Sequence, residues 1–207
     1  VIHTGQANVN TPDRWHRTPI FHAIDRHNSA ILQILLANDR LDLPWQDDLG
    51  HTPLIYSMLK GQTVLTKMLL GHPQAHVDIQ DPDNRTALWH AVHQGDEELV
   101  QLLLNSSSDI NARDIEGVTL LHLLIRQENV SLVQKMLSHL CCDHLIAMAG
   151  VNYDINTEPP PLCLATSQGS EDIVQLLLDH DWNVNEMDAE GRTPLHLAAE
   201  NGDQSVV

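Results

Sequence analysis

The feature that most constrains this chain is a repeat. A seven-residue pattern, clearest as Thr-Pro-Leu-His-Leu-Ala-Ala at 193–199, returns in weaker form from Thr18, Thr52, Thr86, Thr119 and Pro160. The spacings are 34, 34, 33, 41 and 33 residues, so one interval is eight residues long and the others hold the period. A period of this size marks a repeat architecture in which each unit is one supersecondary element. After each copy comes a turn signal and a second apolar pattern, as in Leu99, Val100, Leu103 and Leu104. The counterparts are Ile31, Leu32, Leu35, Leu36; Leu132, Val133, Met136, Leu137; and Ile173, Val174, Leu177, Leu178, with Thr66 breaking the set Leu65, Leu69, Leu70. Spacings of one and four define one helix face. Each repeat therefore predicts an inner and an outer helix, and the expected fold is all-α. A helix pair alone cannot bury both apolar faces, so neighbours must stack into a solenoid. Pro19, Pro53 and Pro194 fall in the first helical turn, where a missing N–H costs nothing. Asp47-Asp48-Leu49-Gly50, Asp114-Ile115-Glu116-Gly117 and Asp188-Ala189-Glu190-Gly191 have the composition of tight β-turns between repeats.

These residues resemble the ankyrin-repeat family, whose pattern is a β-turn, an inner helix opened by Thr-Pro-Leu-His, and an outer helix ending near Asp-Val-Asn. Matching triplets are Asn8-Val9-Asn10, Asp109-Ile110-Asn111 and Asn183-Val184-Asn185. The resemblance covers essentially the whole chain and implies a single array over 1–207. Its repeats run approximately 13–46, 47–80, 81–113, 114–154 with an insertion, 155–187 and a partial 188–207, with 1–12 as the tail of a preceding repeat. Neither end carries a polar capping repeat, so the expectation is an excerpt of a longer array. The family's Thr and His tie each inner helix to its turn. Thr119 with His122 and Thr193 with His196 match that role, whereas Phe21, Ile55, Trp89 and Cys163 replace the His and must hold their turns by packing.

Composition narrows function. Eleven Lys and Arg against 28 Asp and Glu give a formal charge of -17, which disfavours duplex nucleic acid and anionic lipid surfaces. Three cysteines cannot all pair internally, no apolar run approaches the roughly 20 residues of a membrane span, and no signal segment opens the chain. Sequons at Asn84, Asn105 and Asn129 carry little weight without one. The expected setting is cytoplasmic. His139, Cys141, Cys142 and His144 could suit zinc, but vicinal cysteines reach one tetrahedral ion only with strain. His90 and His93 lack any H-E-x-x-H context, and neither a phosphate-cradling glycine motif nor a G-x-S-x-G elbow occurs. Glu97-Glu98 and Glu171-Asp172 open outer helices, where negative charge suits the helix dipole. No enzyme, cofactor or metal is expected.

The family resemblance implies a protein partner bound through turn tips and the concave inner-helix face, by a monomeric chain. Family positions transferred one repeat at a time give Arg14, Trp15, Arg17, Asp25 and Arg26; Asp48, Leu49, His51, Leu59 and Lys60; Pro82, Asp83, Arg85, His93 and Gln94; and Ile115, Glu116, Val118, Arg126 and Gln127. Trp15, Leu49, Leu59, Ile115 and Val118 are apolar where water is expected, which is the composition of interface anchors. From Leu137 onward there are 12 acidic residues and only Arg192 as a cation, which favours a partner with a basic face there. The insertion within 142–160 reads as a lengthened helix and an irregular loop. The resemblance also implies hydroxylation by an asparaginyl hydroxylase at Asn111 and Asn185, which have Leu103 and Leu177 eight residues before them.

More narrowly, the succession of repeats is similar to a stretch of the rabankyrin array. Leu88-Trp89, Thr119-Leu120-Leu121-His122, the long fourth linker, and the run from Asn183 through Asp188-Ala189-Glu190-Gly191-Arg192-Thr193-Pro194 carry this likeness. Rabankyrins join a BTB domain, an ankyrin array and a FYVE zinc finger, and act as effectors of an early-endosomal Rab GTPase in endocytosis. That resemblance implies an endosomal scaffold, with membrane contact made by domains outside this chain. A free-standing cytosolic adaptor or inhibitor, and a host-directed or toxin-like array, are the alternatives.

Overall fold

The computed structural model describes residues 8–106, 108–139 and 158–202. Among these residues the chain forms eleven helices and no strand, with one isolated bridge between Arg113 and Thr119. The tail before residue 8, residues 140–157 with Cys141, Cys142, His144 and most of the insertion placed within 142–160, and the segment after 202 lie outside the described residues. The chain divides into two compact units, 1–109 and 110–207.

The first unit holds three helix pairs: α1 (Pro19–Asp25) with α2 (Ser29–Leu36), α3 (Pro53–Leu59) with α4 (Thr63–Leu70), and α5 (Ala87–Gln94) with α6 (Glu97–Asn105). Inner helices α1, α3 and α5 pack in sequence, and outer helices α2, α4 and α6 pack beside them in the same order. Thr52 and Thr86 cap α3 and α5 by accepting the backbone N–H of Ile55 and Trp89, each at 3.3 Å. Asn28 and Asp96 do the same for α2 and α6. Phe21 and Ile55, where the family pattern has His, are fully buried, and Trp89 nearly so. A fully buried side chain of this size contributes about 1.5–3 kcal/mol relative to exposure. Thr66, the polar break in the outer-helix pattern, is satisfied: its hydroxyl lies 2.8 Å from Ser57 Oγ and donates to the Gln62 carbonyl at 3.0 Å. Side-chain amides then join neighbouring pairs. Gln62 Nε2 donates to the Ile24 carbonyl at 2.6 Å and Gln94 Nε2 to the Met58 carbonyl at 3.0 Å, each adding a second donor to a carbonyl already engaged by the turn after its helix.

The second unit holds α7 (Leu120–Arg126) with α8 (Val130–His139), α9 (Pro161–Gln168) with α10 (Glu171–Asp179), and α11 (Pro194–Asn201). Helix α9 packs against α7 and α11, and α10 against α8. The Thr–His pairs are as the sequence predicts. Thr119 Oγ1 and His122 Nδ1 lie 2.7 Å apart, as do Thr193 Oγ1 and His196 Nδ1. His122 has no solvent exposure, and its Nε2 lies 3.0 Å from the Pro159 carbonyl at the start of the next pair, whereas His196 is exposed. Cys163, in the position of the missing His, is buried, and burial pushes its thiol up to about 12. A thiol held protonated is chemically inert.

The short connection inside each helix pair needs a left-handed residue. Gly61, Gly95 and Gly169 supply it with φ of 66°, 68° and 71°, while His27 and Glu128 adopt it at 51° and 52°. Only glycine does so without steric cost.

The environment of His122 makes the second unit sensitive to acid. Burial, acting against the hydrogen bond to Pro159, lowers its pKa from 6.5 to about 4. A histidine depressed on folding contributes stability above its unfolded pKa and loses it as pH falls toward the folded value. Acidification from pH 6.5 to 4 should therefore remove about 3 kcal/mol through this group. Urea titrations across that interval should show His122→Asn less stable at neutral pH and losing less on acidification. Equal losses in the two proteins would refute the assignment.

Candidate protein-interaction surface

Among the described residues five turns project from the two units, and each is closed by one aspartate. Asp13, Asp47, Asp81, Asp114 and Asp188 each use Oδ1 to accept the backbone N–H groups two and four residues ahead, at 2.8–3.0 Å. Each also pairs its own N–H with the carbonyl four residues on. The residue at the third place after the aspartate has positive φ: His16, Gly50, Asn84, Gly117 and Gly191. The aspartate carboxyl at 188 shows the balance of forces. Burial alone would raise its pKa, but hydrogen bonds from Arg192 and the guanidinium charge outweigh that and hold it below the ordinary value.

With the turn closed through backbone groups, the two tip residues are free to face outward. Arg14 and Trp15, Asp48 and Leu49, Pro82 and Asp83 form the tips of the first unit, and Ile115 with Glu116 forms the first tip of the second. Trp15 is 48% exposed, Leu49 59%, Leu59 45% and Ile115 64%. Neighbouring tips are joined. The Asp48 N–H donates to the Trp15 carbonyl at 3.2 Å, and Trp45 Nε1 to the His16 carbonyl at 2.7 Å. A Cβ on Gly50 would come within 2.6 Å of the Pro82 ring, so that glycine lets the second and third tips touch.

Val118 is a correction. It is 4% exposed, not a member of the outward stripe. It occupies the fourth place after Asp114, the place held by Arg17, His51, Arg85 and Arg192 in other turns. There a polar side chain keeps its head half in water, and a valine with no head to hydrate packs inward.

Most of the sequence-predicted cations are engaged within the chain. Arg17 lies 3.5 Å from Asp47 Oδ2 and 3.8 Å from Asp25, with its guanidinium 4.9 Å from the Tyr56 ring centre. Lys60 reaches Asp25 at 3.6 Å and lies 5.1 Å from the same ring. Tyr56 donates its hydroxyl to Asp25 at 2.6 Å; burial and that bond push its pKa up to about 12. Arg85 pairs with Asp83 at 2.9 Å and covers Trp89 at 4.2 Å, while His93 stacks on Trp89 at 5.0 Å. Arg126 holds both oxygens of buried Glu158, at 2.6 and 2.7 Å. His51 is half-buried beside Asp47. Arg14 differs: exposed, its guanidinium lies 3.9 Å over the Trp15 ring. Sequence reasoning missed Tyr56 and Trp89 as the rings that organise these cations, although both sit on inner helices between predicted surface positions. His90 is buried, 2.9 Å from Asp81 Oδ2, and burial lowers its pKa against the opposing pull of that carboxylate. Asn111 is half-buried and Asn185 exposed. Among the described residues no three His, Cys, Asp or Glu side chains are placed to hold a metal ion, and no helix is long and apolar enough to cross a membrane.

The sequence pattern described as ankyrin repeats, in three copies, matches residues 2–81, 64–143 and 138–207. The chain belongs to the ankyrin-repeat family. Among curated ankyrin proteins it is 39% identical to mouse Rabankyrin-5 over 87 residues, covering 40% of this chain and 7% of that one. It is 37% identical to human NF-kappa-B inhibitor delta over 109 residues, covering 44% of this chain and 34% of the other. The matched stretches thus span a small part of those relatives. Among solved structures, the ankyrin repeat domain of Bcl-3, titled a unique member of the IkappaB protein family, superposes with a TM-score of 0.75 at 22% identity, covering 95% of this chain and 84% of that one. An ankyrin repeat domain from Acinetobacter baumannii gives 0.76 at 21% identity, covering 91% and 93%. At such identity these structures speak to the fold alone.

The Arg126–Glu158 pair sets a prediction for this surface. Removing one partner of a buried pair strands the other, a loss of about 1–3 kcal/mol once the half-exposed arginine is discounted for solvent. Arg126→Ala should lower the melting temperature at pH 7, and Glu158→Gln should recover part of the loss in the double variant. A melting temperature unmoved by Arg126→Ala would return that arginine to the docking surface.

Proposed function

We propose that this chain is a non-catalytic scaffold that binds a protein partner through its turn tips and inner helices. The observation that carries the reading is the pair Trp15 and Leu49, both open to water on adjacent tips whose backbones are bonded together. A rigid tip presents an aromatic anchor without the ordering cost a flexible loop would incur. Arg14, Leu59, His93 and Ile115 extend the candidate contact set, while Arg17, His51, Lys60, Arg85 and Arg126 hold its shape. The repeats are proposed as one array with the boundaries given by the sequence period.

The finer reading is a rabankyrin-like effector of an early-endosomal Rab GTPase, working from the cytoplasm; its support is the 39% identity to Rabankyrin-5 over part of the array. The second reading is an inhibitor of the NF-kappa-B inhibitor kind, supported by the similarity to the delta inhibitor. An aromatic anchor contributes about 2 kcal/mol or more to binding, whereas trimming an exposed side chain changes stability by under about 0.5 kcal/mol. Trp15→Ala should weaken partner capture at least about tenfold and leave the melting temperature unchanged. An earlier melt with unaltered capture makes Trp15 structural and the surface wrong. Offered as purified baits, GTP-loaded Rab bound in preference to the GDP form supports the first reading, and binding to an NF-kappa-B dimer the second.

Asn111 and Asn185 are proposed as acceptors for an asparaginyl hydroxylase. Peptide mass spectra after exposure to the active enzyme should show one added oxygen on at least one of them, with the exposed Asn185 the more modified. Unmodified peptides at both positions would remove the proposal.

A further inference from the structure

Of all the arginines in the chain, only Arg26 stands three residues before a hydroxyl, that of Ser29. The two residues flank the α1–α2 connection. Arg26 follows α1, His27 takes the left-handed turn at φ 51°, Asn28 caps α2, and Ser29 is its first residue. Both Arg26 and Ser29 are exposed, and neither side chain makes a hydrogen bond or ion pair among the described residues. That exposure belongs to the register and not to the place of this pair in the array. Lys60, Gln94, Gln127 and Gln168 fill the place of Arg26 and are all exposed, as are Glu97 and Glu171 in the place of Ser29.

The other repeats show what the position accepts. Glu97 and Glu171 put a negative charge on the first residue of an outer helix, where the helix dipole favours it. Ser29 leaves the same place neutral, beside a free guanidinium. Repeat two offers Lys60 and Thr63 at the same two places, but Lys60 is taken up by Asp25 at 3.6 Å and Thr63 is half-buried. A kinase reads its substrate as an extended segment, so the hairpin has to open. Here that means releasing the Asn28 cap on Ile31 and the first α2 bond, from Leu32 to Asn28, next to a non-glycine residue held at positive φ. We propose that Ser29 is a phosphorylation site for an arginine-directed serine kinase, and that its phosphate, once in place, pairs with Arg26 and closes the α1–α2 hairpin. The γ-phosphoryl group of ATP moves to Ser29 Oγ. The new O–P bond forms as the bond to ADP breaks, and the hydroxyl proton passes to the base of the kinase. The product carries about two negative charges and three acceptor oxygens, which suit a guanidinium and the open N–H groups of a first helical turn. The site stands whether or not the turn tips dock a partner.

The whole chain, incubated with ATP and a purified calmodulin-dependent protein kinase that selects arginine at this spacing, tests the assignment. Peptide mass spectra should place one phosphoryl group on Ser29 and none on Thr63. Arg26→Ala should slow the transfer at least about tenfold through loss of a charge-assisted contact to the kinase, with the melting temperature unchanged. Arg26→Lys should recover part of the rate. A kinase that needs a carboxylate three residues after the hydroxyl should leave Ser29 bare, because Leu32 stands there. In the phosphorylated chain, amide exchange in the first turn of α2 should slow about two- to fivefold. Ser29→Glu should reproduce part of that slowing, and less of it when combined with Arg26→Ala. No phosphate on Ser29 at enzyme levels that fully modify a control peptide, equal rates with and without Arg26, or exchange unmoved by the phosphate overturns the proposal.

Discussion

The structure depends first on a carboxylate that stands in for a strand. Each projecting turn has two backbone N–H groups that would be left open if the chain simply reversed, and the aspartate side chain accepts both. Among the described residues five turns solve the problem alike, down to the left-handed residue at the third place. Because Oδ1 does this work, the backbone of the turn does not rely on the two tip side chains, and because Oδ2 remains, it takes a polar partner from the inner helix or the turn: an imidazole, His22 for Asp13 and His90 for Asp81, or a guanidinium, Arg17 for Asp47 and Arg192 for Asp188. The inner-helix surface is therefore lined with polar groups that answer to the turns before they answer to any partner.

That order of obligations explains what the sequence could and could not disclose. Helix pairs, proline starts, the buried Phe21 and Ile55, and the Thr119–His122 pair follow from period and local capping, which depend on neighbours in the chain. The buried hydroxyl of Thr66 breaks the apolar pattern, and its answer is Ser57, nine residues away on the inner helix. Val118 failed for a related reason. A family register assigns a position to solvent, but whether the side chain stays there depends on its having a polar head to keep wet. Arg17, Lys60 and Arg126 were legible as surface cations. The commitments of Arg17 to Tyr56, Lys60 to Asp25 and Arg126 to Glu158 were not, because those partners lie 39, 35 and 32 residues away and leave no periodic trace.

The candidate surface is consequently narrower than a transfer of family positions suggests. Rings at Tyr56 and Trp89 are covered by the chain's own cations and by His93, so they brace the inner helices. Trp15 and Leu49 are the residues with nothing of their own chain laid across them save Arg14, and they rise from tips that hydrogen bonds hold in place. Rigidity and openness coincide there.

The connections inside the helix pairs have a different consequence. Where Gly61, Gly95 and Gly169 take the left-handed turn freely, His27 and Glu128 take it against steric resistance. The α1–α2 and α7–α8 hairpins thus carry a cost the others lack, one in each compact unit, and local opening follows the least stable connection. Under native conditions, amide exchange should begin at these two hairpins and spread along each stack from there. A protein that looks uniform in its period is, in time, a sequence of unequal doors.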